Sequence, residues 1–382
     1  MDLQGERLYY IDNLRLLMIV FVVMHHLAVI YSGFGDWFYY LEKRHLDILS
    51  TIWFAFCLAF QQGYFMGFLF MNAGYFSAGS YDRKGFSRFI GDRFRRLIIP
   101  ALIYMMVITP FIYYIELGQS NVLQAEMGLL HSFLRFLSGT GVMWFTVALF
   151  LFALIYGLVR LCGAHAGRSQ VPLSNGKQIQ PSSANALILI LIISGSAFLI
   201  RIILPIGTYI LGMRVCDFAS YIVLFIVGIL AYRNNLFNRI SYQAGKIWLI
   251  CGIVLGLLVW LGLVVISRKY GNSAALNGGF TWESAGYSLW ESFVAVAMSI
   301  GLIAVFREKL NYQSKLIKTM ADNSFAVYMF HPPITVAVAL LFRPVSLLPF
   351  VKWILLCIIC VPLCFVATHF IFRKIPLLKN VL

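Results

Sequence analysis

The feature that most constrains this chain is a series of long apolar runs, each about as long as a helix that crosses a lipid bilayer. A helix needs about 20 residues to span roughly 30 Å of hydrocarbon. The residues are 61% hydrophobic and only 12% charged, which excludes a water-soluble core. The runs lie at approximately 14–34, 52–77, 97–117, 142–161, 186–206, 215–232, 247–266, 287–306, 323–342 and 350–372.

The runs are apolar on all sides, whereas the strands of a membrane β-barrel are short and alternate in polarity. We therefore predict an all-α fold, a polytopic transmembrane bundle of about ten helices. No connecting loop is long enough to fold on its own, so residues 1–382 are expected to form one integral membrane domain with no appended soluble domain.

The distribution of lysine and arginine predicts the orientation, because short loops rich in these residues stay on the cytoplasmic side. With the N-terminus inside, most of the 30 lysines and arginines lie in inner segments. Both termini are then cytoplasmic, and the expected location is the cell membrane, a bacterial inner or plasma membrane. Topology and contact with anionic lipid already account for the net charge of +15, so we expect no nucleic-acid partner.

The first span carries ionisable residues at a depth where they are costly and often functional. Arg15 and His26 are eleven residues apart, which places them on one helical face within about 20° and separates them by about 16 Å along the axis. His25 lies roughly 80° away from that face, and we expect it to be structural. For His26, catalysis and a structural hydrogen bond both remain open.

Two further groups are candidates. The inner loop before Pro100 is rich in arginine, and Arg93, Arg95 and Arg96 could bind phosphate oxygens, although the loop by itself favours a positive-inside anchor beside anionic lipid. Tyr328 and His331, three residues apart, share a helical face beside Pro332 and Pro333. These prolines cannot donate backbone hydrogen bonds, so we expect a kink, which either lines a cavity or serves packing.

Polar residues near the outer ends of several spans complete the candidates. Arg201 and Asp217 are expected to form a structural ion pair across a hairpin, with a substrate contact as the alternative. A sugar site and an interfacial aromatic belt both fit a set of outer acidic and aromatic residues. That set comprises Glu116, Trp282, Glu283, Tyr287, Trp290 and Glu291. The cysteine spacing shows no zinc framework, and we expect no metal.

In order along the chain, these motifs resemble the membrane acyltransferase-3 family over nearly its whole length. The matching elements are Asp12-Asn13-Leu14-Arg15, the R-x10-H pair Arg15 and His26, the run Gly67–Phe76, the R-x-x-R pair Arg93 and Arg96, Gly141–Phe145, and Tyr328-x-x-His331-x-Pro333. Many relatives have a histidine where this chain has Val142, and many carry a soluble esterase-like domain.

The resemblance implies transfer of an acyl group, usually acetyl and sometimes succinyl, from cytoplasmic acyl-CoA to a hydroxyl of a carbohydrate or glycan. No tightly bound cofactor is expected. The donor phosphates would bind Arg93, Arg95 and Arg96, together with Arg15. His26 would act as general base or carry the acyl group covalently, and Tyr328 or His331 would donate to the oxyanion.

Two other classes of function are compatible with parts of this pattern. A transporter or permease without transfer chemistry also uses buried histidine, arginine and proline-interrupted helices. A purely structural partner of a glycan-synthesis complex would tolerate replacement of His26 and the arginines. Acyl-CoA turnover that depends on His26 separates the enzyme from both.

Overall fold

The computed structural model describes residues 7–33, 38–42, 45–112, 140–165, 181–210 and 212–375. Its helices in chain order are α1 (Tyr9–Ser32), α2 (Ile48–Arg93), α3 (Ile99–Ile103), α4 (Trp144–His165), α5 (Ser183–Ile203), α6 (Phe218–Asn234), α7 (Leu236–Arg239), α8 (Tyr242–Tyr270), α9 (Trp282–Lys309), α10 (Lys315–Leu341) and α11 (Pro349–Phe370). Two short strands, β1 (Tyr209–Ile210) and β2 (Met213–Arg214), pair antiparallel.

Within the described ranges, nine helical segments are long and apolar enough to cross a membrane. The protein is a multi-pass membrane protein with the predicted all-α fold. The helices extend beyond several predicted runs: α1 begins at Tyr9 and α8 reaches Tyr270, because polar turns outside the hydrocarbon continue the helix. Serine, threonine and aspartate side chains cap helix starts by accepting backbone N–H bonds. These caps are Asp47, Ser182, Ser241, Thr281 and Ser314.

The predicted spans 52–77 and 97–117 belong to one apolar segment, Ile48–Ile112, which reverses direction at Gly85. Gly85 has φ 70° and ψ 176°, a conformation that glycine adopts without strain. Arg93 Nη2 donates to Ser77 Oγ at 3.3 Å, whereas sixteen residues of straight helix would separate these positions by about 24 Å. The segment therefore supplies two crossings. Residues 113–117 of the second predicted run lie outside the described residues.

The chain's described ends lie at the same end of the bundle. Arg7 forms an ion pair with Asp322 near the start of α10, and Arg373 donates to the neighbouring Asn323. We call this end, where α1 begins, the near end, and the opposite end the far end. An even number of crossings follows, in agreement with the predicted bundle of about ten helices; the side of the membrane that each end faces stays a prediction.

The centre of the bundle is formed by α1, α9, α10 and the first crossing of α2. The most apolar window of α9 is 72% buried and that of α10 is 67% buried, whereas that of α8 is only 17% buried. Helix α8 therefore lies at the perimeter and presents most of its surface to lipid. The polar residues carried by the central helices lie inside the protein, where a site can form away from lipid.

Helices α2 and α6 pack with their backbones in close approach, through Gly74 on α2 and Gly228 on α6. A Cβ at Gly228 would overlap the carbonyl oxygen of Met71, and one at Gly74 would overlap that of Phe225. Small residues permit such approach between membrane helices.

We expect Gly228→Ala to destabilise the protein by about 1–3 kcal/mol, because backbone atoms cannot yield without moving a helix. The matched control is Gly195→Ala on α5, where a Cβ meets nothing within 4 Å. There the better helix propensity of alanine should leave stability unchanged or raise it by up to about 1 kcal/mol. Thermal unfolding in detergent measures both, and equal midpoints for the two variants would contradict the packing account.

Candidate active site

His26 of α1 lies between two aromatic rings. One face of the imidazole stacks on Phe38, with centroids 4.7 Å apart and planes at 18°. The ring of His331 on α10 meets it edge to edge, with centroids 4.9 Å apart and planes at 22°. The two histidines, 305 positions apart in the chain, are joined by a hydrogen bond from ring to ring.

The hydrogen bonds of this pair define which ring nitrogens carry protons. His331 Nδ1 lies 2.8 Å from the carbonyl oxygen of Tyr328, and since a carbonyl only accepts, Nδ1 carries the proton. The Nε2 of a neutral His331 is then an acceptor, and it lies 2.8 Å from His26 Nδ1. Neutral His26 must therefore donate from Nδ1, which leaves its Nε2 with an unshared electron pair.

The prolines explain why the Tyr328 carbonyl is available. Pro332 has no N–H and cannot bond to the carbonyl four residues before it, which is that of Tyr328. His331 Nδ1 takes this acceptor instead. Helix α10 continues through both prolines, and Thr335 Oγ1 donates to the His331 carbonyl at 2.9 Å. The carbonyl that Pro332 leaves free thus fixes the orientation of the histidine.

Tyr328 lies in the same cluster, but its hydroxyl points to the backbone. It donates to the carbonyl oxygen of Val142, at the start of the fourth apolar run. Val142 is the position at which many relatives have histidine, and here the contact uses the main chain alone. The structure therefore brings together three of the predicted residues, His26, Tyr328 and His331.

A segment that follows α1 holds Phe38 on the His26 ring. Glu42 accepts from Lys352 Nζ at 2.9 and 3.0 Å, and the lysine is fully buried. The backbone N–H of Glu42 donates to Ile30 O at 2.9 Å. The hydroxyl groups of Tyr39 and Tyr104 are joined by a hydrogen bond of 2.8 Å. These contacts were not predicted, because an irregular segment has no periodicity to reveal its fold.

His25 contacts a different neighbour from His26, as its angle on the helix predicts. Its Nδ1 lies 3.1 Å from Gln61 Oε1 on α2, and its ring lies 5.2 Å from that of Phe65. The Gln61 contact is the kind of structural hydrogen bond that we expected for this residue.

The four predicted phosphate-binding arginines lie apart from the histidines, and no contact described in the structure joins Arg15 to the other three. Arg15 forms an ion pair with Asp12 at 3.3 Å and is half exposed. Arg93 is held by Ser77 and by the ring of Phe89, 5.3 Å away. Arg95 and Arg96 are exposed on a π-helical turn, Phe94–Ile98.

A cavity of about 350 Å³ opens beside His26. Besides both α1 histidines, its wall includes Ile206, Tyr209 and Asn277, which belong to the segments that connect helices at the far end. Two of these segments are joined by a hydrogen bond of 2.7 Å from Ile206 N to Asn277 O. The cavity therefore lies on the far-end side of His26.

A network of buried charged side chains adjoins this cavity. The predicted pair of Arg201 and Asp217 is present at 3.6 Å, but Arg201 is closer to Glu291 of α9, at 2.5 Å. Asp217 also accepts from Gln62 Nε2 at 2.9 Å and from Arg214 Nε at 2.7 Å. We had not singled out Gln62 or Arg214; a pair of glutamines inside an apolar run was the signal that could have pointed to the first.

The outer acidic and aromatic residues do not form one cluster among the residues described. Glu291 pairs with Arg201, whereas Glu283 accepts from Asn272 N. Trp290 is buried and donates to Gly256 O, and Trp282 is half exposed. Tyr287 lines the cavity, and Glu116 lies outside the described residues.

A comparison with known protein families identifies the family of the chain. The family model Acyl_transf_3, described as an acyltransferase domain, matches residues 8–369. The chain belongs to this acyltransferase family, and the family supports acyl transfer as its activity. No curated protein and no solved structure matches the chain.

Proposed function

We propose that the protein transfers an acyl group from acyl-CoA to a hydroxyl acceptor, with Nε2 of His26 as the general base. The observation that supports this role is the chain of hydrogen bonds from Tyr328 O through His331 to His26 Nδ1. It holds the imidazole in the tautomer whose other nitrogen can take a proton, and His26 borders a cavity large enough for a reactant.

In the direct reaction, the acceptor oxygen attacks the thioester carbonyl while its proton passes to His26 Nε2. The new C–O bond replaces the C–S bond, and the CoA thiolate leaves and recovers the proton from the imidazolium. His331 Nε2 accepts the Nδ1 hydrogen bond throughout and stabilises the imidazolium. A two-step route, in which Nε2 first takes the acyl group, uses the same tautomer and remains an alternative.

His331 and Tyr328 act as positioning residues in this proposal. The family resemblance implies an oxyanion-donor role for one of them, but the proton of each is already donated to a backbone carbonyl. His331 is completely buried behind His26. Orienting the base is the role that these contacts support.

We expect His331→Leu to lower kcat about 10- to 100-fold, as loss of an orienting partner does. His331→Gln should retain more activity than His331→Leu, because the glutamine carbonyl can accept from His26 Nδ1. KM for acyl-CoA should change little in either variant. Steady-state CoA release measures this, and equal kcat values for the two variants would show that a hydrogen bond to His26 is not the reason for the loss.

The donor is proposed to bind at the near end through Arg93, Arg95 and Arg96, with Arg15 as a further contact. The exposure of Arg95 and Arg96 supports this, since a guanidinium facing water can bind a phosphate in a bidentate manner. Acetyl-CoA is the expected donor, with succinyl-CoA as a variant, and a carbohydrate hydroxyl is the expected acceptor. The near end would then face the cytoplasm.

The donor site is tested by equilibrium binding of radiolabelled CoA. Replacing both Arg95 and Arg96 by glutamine should raise Kd at least about tenfold, since each charge-assisted hydrogen bond contributes roughly 1.5–3 kcal/mol. The control replaces Arg83 and Arg88, exposed in the same loop, and removes the same charge. The control should change Kd less than about threefold. An equal effect of both pairs would indicate a general electrostatic attraction instead of a site.

A further inference from the structure

The cavity beside His26 has a polar wall that the acyl-transfer chemistry does not use. Arg214 and Asp217 line it and are joined by a bond of 2.7 Å from Nε to Oδ2. The side chain of Asp217 is only 4% exposed and that of Arg214 is 16% exposed. Stability alone does not explain why this ion pair is buried, because buried ion pairs contribute little net free energy to folding.

Neighbouring side chains hold this pair in place. Asp217 Oδ2 accepts from Gln62 at 2.9 Å and from Tyr221 at 3.3 Å, and Arg201 approaches Oδ1. Glu291 in turn holds Arg201. Such support keeps the polar groups of a site in one geometry before a ligand arrives.

The charges at this wall cancel. Arg214 and Asp217 line the cavity with opposite charges, and Arg201 and Glu291 form a second opposite pair behind them. An anionic ligand would therefore meet the Asp217 carboxylate without an unshared cation to compensate for its own desolvation. The wall suits an uncharged ligand that both donates and accepts hydrogen bonds.

Aromatic side chains complete the cavity. Trp144, stacked on Tyr221 at 5.9 Å and 25°, forms one part of the wall, and Tyr287 forms another. The volume of about 350 Å³ is at the lower limit of small-molecule sites, which combine apolar faces with a few placed polar groups. A single hydroxyl-bearing ring matches both the size and the lining.

We propose that this cavity is the acceptor site, that it binds an uncharged, hydroxyl-bearing ring, and that Arg214 and Asp217 anchor the ring's hydroxyls beside His26. The far-end residues Ile206, Tyr209 and Asn277 in its wall place the approach of the acceptor at the far end. The arginines proposed for the donor lie at the opposite end, so the cavity is assigned to the acceptor. The inference rests on the proposed function, since it names the acceptor of that reaction.

The experiment measures transfer from radiolabelled acetyl-CoA to methyl glycosides by the purified protein in liposomes. Each glycoside, in the gluco, galacto and manno series, is paired with its uronate, which replaces the CH₂OH group by a carboxylate. The readout is the ratio of kcat/KM for the neutral acceptor to that for the uronate. A ratio within one variant does not depend on the fraction of folded protein.

We expect the wild type to prefer the neutral acceptor by at least about fivefold, because a carboxylate would lose its hydration in the cavity without an unshared cation to compensate. Asp217→Asn should reduce this ratio and Arg214→Gln should increase it, each by at least about threefold, because they change the charge of the wall in opposite directions. The matched control is Arg233→Gln, which removes a comparable ion pair with Asp82 away from the cavity. Its ratio should equal that of the wild type.

Three results would overturn the acceptor site while leaving the proposed function in place. They are equal or better use of the uronate by the wild type, unchanged ratios in both cavity variants, and CoA release to water with no transfer to any glycoside. A rise in KM for acetyl-CoA in the cavity variants would assign the cavity to the donor. Absence of any CoA release by the wild type would instead refute the proposed function, and this inference with it.

Discussion

His26→Ala is expected to lower the rate of acyl transfer by about 10²- to 10⁴-fold, the usual contribution of a general base. The loss should appear in kcat, because the donor phosphates are proposed to bind about 16 Å along α1 from this ring, near the level of Arg15. His331 would remain, but it lies behind His26, completely buried and outside the cavity wall. Its Nε2 is therefore not expected to reach the acceptor hydroxyl.

The control for this variant is His45→Ala, an exposed histidine between α1 and α2. Its rate should equal that of the wild type, and CoA binding should be the same in all three proteins. Thermal unfolding in detergent checks that His26→Ala remains folded. A rate for His26→Ala within about threefold of the wild-type value would remove His26 from the chemistry, whatever the hydrogen bonds around it.

The second large effect concerns stability. Arg201→Met is expected to lower the free energy of unfolding by about 3–5 kcal/mol, because it leaves Asp217 and Glu291 as buried carboxylates without their shared cation. Methionine keeps much of the side-chain volume, so the loss reports charge and hydrogen bonding. The guanidinium also donates to Ser288 Oγ at 3.1 Å.

The comparison variant is Arg268→Met, at the exposed end of α8, which should change stability by less than about 0.5 kcal/mol. Adding Glu291→Gln to Arg201→Met should recover part of the loss, since it removes one unpaired charge. Denaturant or thermal unfolding in detergent provides the measurement. If Arg201→Met were as stable as Arg268→Met, the network would not be held together by this cation.

The fold could be predicted from the sequence because apolar runs of about 20 residues can adopt few structures in a bilayer. The exception is the reversal at Gly85, which joins two predicted spans into one helical segment. The inner loop was predicted as a connection, but it remains helical on both sides of a single glycine. Local helix propensity outside the hydrocarbon is not visible in hydropathy.

The site was predictable only in part. Helical geometry separated His26 from His25, and the spacing of Tyr328 and His331 placed both on one face, as the structure confirms. That the two groups would meet across 305 positions could not be deduced, since one sequence contains no information on which helices are neighbours. For the same reason Arg201 was paired with Asp217, and its closer partner Glu291 was missed.

The central claim is tested most directly by single-turnover release of CoA from radiolabelled acetyl-CoA, with a pool of glycans and methyl glycosides as acceptors. Purified wild type and His26→Ala are compared in the same liposomes. The account predicts that the wild type moves the label to a hydroxyl acceptor while His26→Ala binds acetyl-CoA without releasing its acetyl group. Binding without turnover by the wild type, with acetyl-CoA and with succinyl-CoA, would contradict the account and favour a transport function for the bundle.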